Sequence, residues 1–101
     1  MGVQSNIDHG GKELVIKVDG RFDFSAHQEF RDAYEGISND VTHYVVDLGN
    51  TSYLDSSALG MLLLLRDHAG GDEANVKIIK CNDDVRKILT ISNFEQLFTI
   101  Q

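Results

Sequence analysis

An apolar run, Tyr44-Val45-Val46-Asp47-Leu48, is followed after a short polar stretch by Leu54-Asp55-Ser56-Ser57-Ala58-Leu59-Gly60 and then by Met61-Leu62-Leu63-Leu64-Leu65. The first run reads as a buried strand, and the leucine-rich run behind a serine-rich start reads as a long helix. A strand that hands the chain to a helix constrains the fold to a layered arrangement of sheet and helices. It also places two hydroxyls in the opening turn of that helix. There, unpaired backbone N–H groups and the positive end of the helix dipole favour an anion. A serine in that turn is either a simple cap or a place where a phosphate can be attached and tolerated.

The rest of the chain continues the alternation. Val3, Ser5 and Ile7 alternate with polar neighbours, Gly10-Gly11 offers a turn, and Leu14-Val15-Ile16-Lys17-Val18 follows, which predicts a β-hairpin. Gly20-Arg21-Phe22-Asp23 makes the exit. Ser25 and Gln28 have capping-box spacing, and Phe24 and Phe30 suit the apolar side of a helix running to about Ile37 and ending near Ser38-Asn39-Asp40. A third strand is expected over about His43 to Leu48 and the central helix over about Ser56 to His68, closed by Gly70-Gly71. Val76 to Cys81 reads as a fourth strand, and Asn82-Asp83 as the cap of a helix over roughly Asp84 to Ile91. Phe94 to Ile100 reads as a turn and a last edge strand. The expected class is α/β (α+β), a mixed sheet of about four to five strands with about three to four helices in the order β-β-α-β-α-β-α-(β), as a single domain over residues 1–101.

The central helix carries apolar residues on too many sides. Ala58, Leu62, Leu65 and Ala69 cluster on one face at 100° per residue, with Leu59 and Met61 beside them. The opposite face carries Ser56, Gly60 and Asp67, yet Leu63 and Leu64 fall at its edges. Either neighbouring loops cover those two leucines, or they form an apolar contact patch beside Ser56. Gly60 fits the second reading, because glycine inside a helix costs about 1 kcal/mol and permits close approach.

Charge and spacing exclude several functions. Nine basic and sixteen acidic residues give a net charge of −7, which repels phosphate backbones and anionic membranes. The single cysteine, Cys81, allows no internal disulfide and fits a reducing compartment. Met61 to Leu65 is the longest apolar run, far short of the roughly 20 residues of a membrane span. No secretory leader is visible, and Asn6 breaks the myristoylation pattern begun by Met1-Gly2, so the expectation is a cytoplasmic protein. Neither Ser56 nor Ser57 has the flanking glycines of a nucleophile elbow. His9, His27, His43 and His68 have no metal-ligand spacing, and no phosphate-binding glycine loop occurs. The chain does not read as an enzyme, and no cofactor or metal is expected.

Val45-Val46-Asp47-Leu48 followed by Leu54-Asp55-Ser56-Ser57-Ala58-Leu59-Gly60 resembles the signature of STAS domains, more narrowly that of bacterial anti-sigma factor antagonists, in which an apolar strand precedes Asp-Ser-Ser-Gly-Leu-Gly. Gly20-Arg21-Phe22-Asp23 is similar to the family's Gly-x-Leu-Asp turn, and Ile88 to Phe94 with Phe98-Thr99-Ile100 resembles its usual ending. Ala58 replaces the commonest glycine, and Arg21-Phe22 a more typical acidic or small pair. The resemblance implies phosphorylation of the first serine, here Ser56, by a partner that is at once an anti-sigma factor and a serine kinase of the histidine-kinase-like ATPase type, reversed by a PP2C-type phosphatase. It also implies that Asp55 helps present Ser56, that Asp23 lies near the same surface, and that Ser57 is a structural cap or a second hydrogen-bonding hydroxyl. The expected partner surface is Asp23, Asp55, Ser56, Ser57, Gly60, Leu63, Leu64 and Asp67. Two other functions remain open: a STAS output module acting on another regulator, for example in biofilm or motility control, and a STAS domain sensing a nucleotide or small anion.

Overall fold

β2, Glu13–Phe22, is the strand on which the sheet is built. Its side chains alternate: Leu14, Ile16 and Val18 are fully buried, while Val15, Lys17 and Asp19 are half-buried. A computed structural model of the chain describes residues 2–37 and 40–101. In it β1, Gly2–Asp8, pairs antiparallel with β2 through the turn at His9 to Lys12. β3, His43–Asp47, lies parallel on the other side of β2, followed outward by β5, Val76–Ile79, and β6, Thr99–Ile100. The remaining strand, β4, Thr51–Leu54, pairs parallel with the last residues of β2. The described residues therefore form six strands in the order β1-β2-β3-β5-β6, with β4 also beside β2.

The register stacks apolar residues in rungs. Leu14 faces Tyr44, which faces Val76; Ile16 faces Val46, which faces Ile78. All six are buried. The helices α1, His27–Tyr34, α2, Ser56–His68, and α3, Asp83–Ile91, contribute Phe30, Met61, Leu62, Leu65, Val85 and Leu89 to the same cluster. Burial of this kind is worth about 25 cal/mol per Å² of apolar surface, the main favourable term of the fold.

The expected elements are present, with four corrections. β4 replaces what reads as connecting chain, because its pairing depends on the far end of β2 and not on local alternation. The first helix starts at His27 and stops at Tyr34, not Ile37, since Gly36 takes φ +83°, a backbone turn that glycine adopts without strain. Ser38 and Asn39, the expected end of that helix, lie outside the described residues. No capping box forms: the Ser25 hydroxyl donates to Asp23, Gln28 donates to Asp32, and Ala26, the residue before α1, makes no side-chain cap. Phe24 does not join the core as Phe30 does; it is 69% exposed. The central helix, by contrast, spans Ser56–His68 as its spacing predicts, and Asn82 caps α3 through its Oδ1, which accepts from the Val85 N–H at 2.8 Å.

Two leucines two positions apart on α2 test this packing. Leu62 is fully buried and Leu64 is 54% exposed. Leu62→Ala is expected to lower unfolding free energy by about 2–5 kcal/mol through lost burial and a cavity. Leu64→Ala is expected to change it by less than about 1 kcal/mol. Urea unfolding of the two variants checks both.

Candidate functional site

Two adjacent parallel strands end in the same device. β2 closes on Phe22-Asp23-Phe24-Ser25-Ala26, and β4 on Leu54-Asp55-Ser56-Ser57-Ala58. Phe22 and Leu54 face each other in register and are both buried, as are Ala26 and Ala58. Each aspartate then caps the helical turn that follows. Asp23 Oδ1 accepts from the Ser25 N–H at 3.0 Å, and Asp55 Oδ1 accepts from the Ala58 N–H at 3.1 Å. Neighbouring strands lie about 4.8 Å apart, so the register brings Asp23 and Asp55 to the same end of the sheet, and with them the exposed residues that follow, Phe24 and Ser56.

The loop that delivers β4 is tied at several points. The Thr51 hydroxyl, buried, donates to the Val18 carbonyl at 2.8 Å, and the Asn82 side-chain amide donates to the Thr51 carbonyl at 3.1 Å. Asp47, also buried, accepts from the Gly49 N–H at 2.8 Å, with Lys80 Nζ 3.8 Å from its other oxygen. Two rungs before the aspartates, Arg21 faces Tyr53, with its guanidinium 4.4 Å from the ring centre and its Nε 3.3 Å from Asp23 Oδ2.

Asp55 is thus the helix cap, which corrects the reading of either serine as one. Ser56 and Ser57 occupy the first two positions of α2. Ser56 is exposed and Ser57 half-buried. The cap at Asp55 leaves the Ser56 hydroxyl outside the helix's own bonding, at the end where backbone N–H groups lack carbonyl partners. Further along the same outer face stand Gly60, Leu63, Leu64 and Asp67, all exposed, with Leu63 at 40%. Loops do not cover the two leucines. A Cβ at Gly60 would meet no atom within 4 Å, so nothing within the described chain requires glycine there. Leu64 and Asp67 also line a groove of about 310 Å³ between α1 and α2, shared with His27, Phe30, Arg31 and His68.

All eight expected surface residues therefore lie on the Asp23 turn, the Asp55 cap or the outer face of α2. Sequence reasoning missed Phe24 and Tyr53, both exposed aromatics at the same end. The recurrence of Asp-x-Ser-Ala after a paired apolar residue was the available signal for Phe24. Hydrogen bonds from the Ser25 hydroxyl and N–H, with help from Arg21, hold the Asp23 carboxyl below the usual carboxylate range. Burial pushes the Cys81 thiol up, which suits a packing residue and not a nucleophile. Among the described residues no group of three or more His, Cys, Asp or Glu is placed to hold a metal ion, and no helix is long and apolar enough to cross a membrane.

The family profile described as "Mlab, STAS domain" matches residues 5–99. The chain belongs to the STAS-domain family. It is 66% identical over 90 residues to a STAS-domain containing protein of Pseudomonas aeruginosa (strain UCBPP-PA14), covering 89% of each chain. Its fold is that of an anti-sigma factor antagonist from Mycobacterium paratuberculosis, at a TM-score of 0.77 with 20% identity over 98% of this chain and 85% of that one. SpoIIAA matches equally in its two forms, each at 18% identity and over 99% of this chain. The unphosphorylated form matches over 87% of its length with a TM-score of 0.73, and the phosphorylated form from Bacillus over 91% with a TM-score of 0.72.

Two measurements follow for this STAS domain. Asp55→Ala removes the α2 cap and is expected to lower stability by about 1 kcal/mol, while Ser56→Ala, which removes no cap, changes it by under about 0.5 kcal/mol. In an NMR pH titration the Asp23 carboxyl is expected to titrate below its ordinary value of 3.8, and Ser25→Ala to move it upward. A carboxyl depressed by folding adds stability above its unfolded value and loses it as pH falls through the folded one. The Asp23 contribution should therefore disappear only in acid below that ordinary value.

Proposed function

We propose that this STAS domain is an anti-sigma factor antagonist, a binding module that in its unphosphorylated form holds an anti-sigma factor with serine-kinase activity and is released when Ser56 is phosphorylated. The observation that carries the reading is the outer face of α2: an exposed hydroxyl at the first helical position, free of any capping duty, with uncovered Leu63 and Leu64 on the same face. Exposed leucines on a two-faced helix make an apolar contact surface, and Phe24 extends it at the neighbouring strand end. The same fold occurs in SpoIIAA with and without its phosphate, which supports a switch that leaves the fold in place.

The magnitudes favour binding as the step that responds. A phosphoserine adds about −1.5 to −2 charge. At a helix N-terminus the dipole offsets this by about 0.3–2 kcal/mol. Repulsion from a carboxylate about 4 Å away in water costs about 1 kcal/mol per unit pair, so the two effects nearly cancel within the free domain. An unpaired dianion carried into an apolar interface costs on the order of 2–5 kcal/mol, a loss of affinity of roughly thirty-fold to several thousand-fold. In this reading the cytoplasmic partner is the kinase itself, and a PP2C-type phosphatase restores binding.

The test is a pull-down with unphosphorylated protein to capture the partner, followed by affinity measurements on wild type, Ser56→Ala and Ser56→Asp. Retained binding by Ser56→Ala, loss by Ser56→Asp and unchanged melting of both are expected. Equal affinity across all three would sink the proposal, as would kinase treatment that labels Ser57 or Thr51 alone. Gly60→Ala provides a separate check: helix propensity should raise stability by about 0.5–1 kcal/mol while the added methyl weakens partner binding. A variant that gains stability and binds as wild type would show that no partner closes on that face.

A further inference from the structure

β1 is an edge strand without the shortness, lysines, proline or bulge that commonly keep a sheet edge from pairing, and α1 reaches it only near Gly2, where Glu29 lies. Natural edges are blunted by shortness, lysines, proline or a bulge. The opposite edge of the sheet is blunted by shortness, since β6 has two residues. β1 has seven, runs in unbroken register with β2, and contains no lysine, arginine or proline. Among the described strands it pairs with β2 alone, and Gln4 to Asp8 are all exposed.

Its side chains are also self-complementary. Val3, Ser5 and Ile7 face Val18, Ile16 and Leu14 across the ladder, so they lie on the core face of the sheet. Val3 packs against the core, whereas Ile7 is 45% exposed, an apolar side chain beyond the helical cover. In an antiparallel pairing of β1 with itself about Ser5, Val3 opposes Ile7 of the second copy and Ile7 opposes its Val3. Gln4 opposes Asn6, Ser5 opposes Ser5, and Asp8, the strand's single charge, opposes Gly2. Apolar meets apolar, amide meets amide, and no like charges face each other. Moving the axis to Asn6 brings Asp8 opposite Gln4, moving it to Gln4 brings Val3 opposite Ser5, and either shift gives up the match of Val3 with Ile7.

We propose that β1 is a homodimerisation edge, joining two copies antiparallel about a twofold axis through Ser5 to give one sheet that runs through both. The contact is isologous and therefore closes at two copies. It uses no residue of the outer α2 face, so each copy keeps its Ser56 surface. One strand edge buries less than the roughly 1,200 Å² of a standard interface, so the dimer is a concentration-dependent one.

Sedimentation equilibrium of the full chain from about 10 µM to about 1 mM spans the affinities that so small a contact allows. The expected result is a rise from 11.2 kDa toward twice that mass. Ser5→Lys sets two ammonium groups opposite each other on the axis and is expected to abolish the rise, with its melting unchanged because Ser5 is exposed. In a Cys81→Ser background, Ser5→Cys places two thiols directly opposed across the axis, and mild oxidation should cross-link it. Asn6→Cys, which faces Gln4 of the second copy, should cross-link far more slowly. A mass that stays at the monomer value throughout overturns the proposal. So does a dimer that survives Ser5→Lys, or one in which Asn6→Cys cross-links as fast as Ser5→Cys.

Discussion

The parallel pairing of Phe22 with Leu54 fixes where the candidate site on this chain sits. Only three residues at the end of β2 take part in it, yet both partners are buried apolar side chains and both are followed directly by a capping aspartate. Burying Phe22 and Leu54 side by side places the starts of two helical segments at one end of the sheet. The Thr51 hydroxyl on the Val18 carbonyl and the Asn82 amide on the Thr51 carbonyl hold β4 against that short edge. Without those ties a four-residue strand would have little to keep it in register, and the first turn of α2 would lose its place beside Asp23.

Helix α2 meets two demands at once. Its inner face, Ala58, Met61, Leu62 and Leu65, closes the core. Its outer face leaves Leu63 and Leu64 about half exposed, an arrangement the monomer gains nothing from, since each forgoes part of the roughly 1.5–3 kcal/mol that full burial of a leucine is worth. Glycine at position 60 is a second forgone gain, because no neighbouring atom excludes a side chain there. Three unfavourable local choices on one face, next to one free hydroxyl, make physical sense for a surface completed by another molecule.

Much of this was legible in the residues. The span of α2 followed from its serine-rich start and the glycines at 70 and 71, and the strand from His43 from a short apolar run. Five of the eight surface residues, Ser56, Gly60, Leu63, Leu64 and Asp67, could be gathered on one side because 100° spacing is a property of the helix alone, while Asp23, Asp55 and Ser57 came from the family resemblance. What escaped had a common cause. β4, the true cap at Asp55 and the exposure of Phe24 all depend on which strand lies beside β2, a contact between residues more than thirty positions apart. Ser25 and Gln28 matched a capping box by spacing, but the Asp23 carboxylate, the stronger acceptor, took the Ser25 N–H and hydroxyl first and set a tighter turn ahead of α1. The end of the first helix escaped differently, through a glycine at position 36 that could equally have been tolerated inside it.

The division of labour between Asp55 and Ser56 has a further consequence for how this domain could be switched. Where a serine is itself the cap, a phosphate on it would remove the bond that starts the helix, and modification would act on folding and binding together. Here Asp55 already holds the Ala58 N–H, so the helix begins whether or not the next hydroxyl is esterified. A carboxylate cap accepts that N–H strongly because it is charged. The phosphate would instead stand outward over Gly60 and the exposed leucines, altering the surface a partner meets while the core beneath, Leu54, Ala58 and Leu62, stays as packed. Under the proposed switch, separating the residue that starts the helix from the residue that would carry the phosphate is what would let a small domain change its binding without changing its fold.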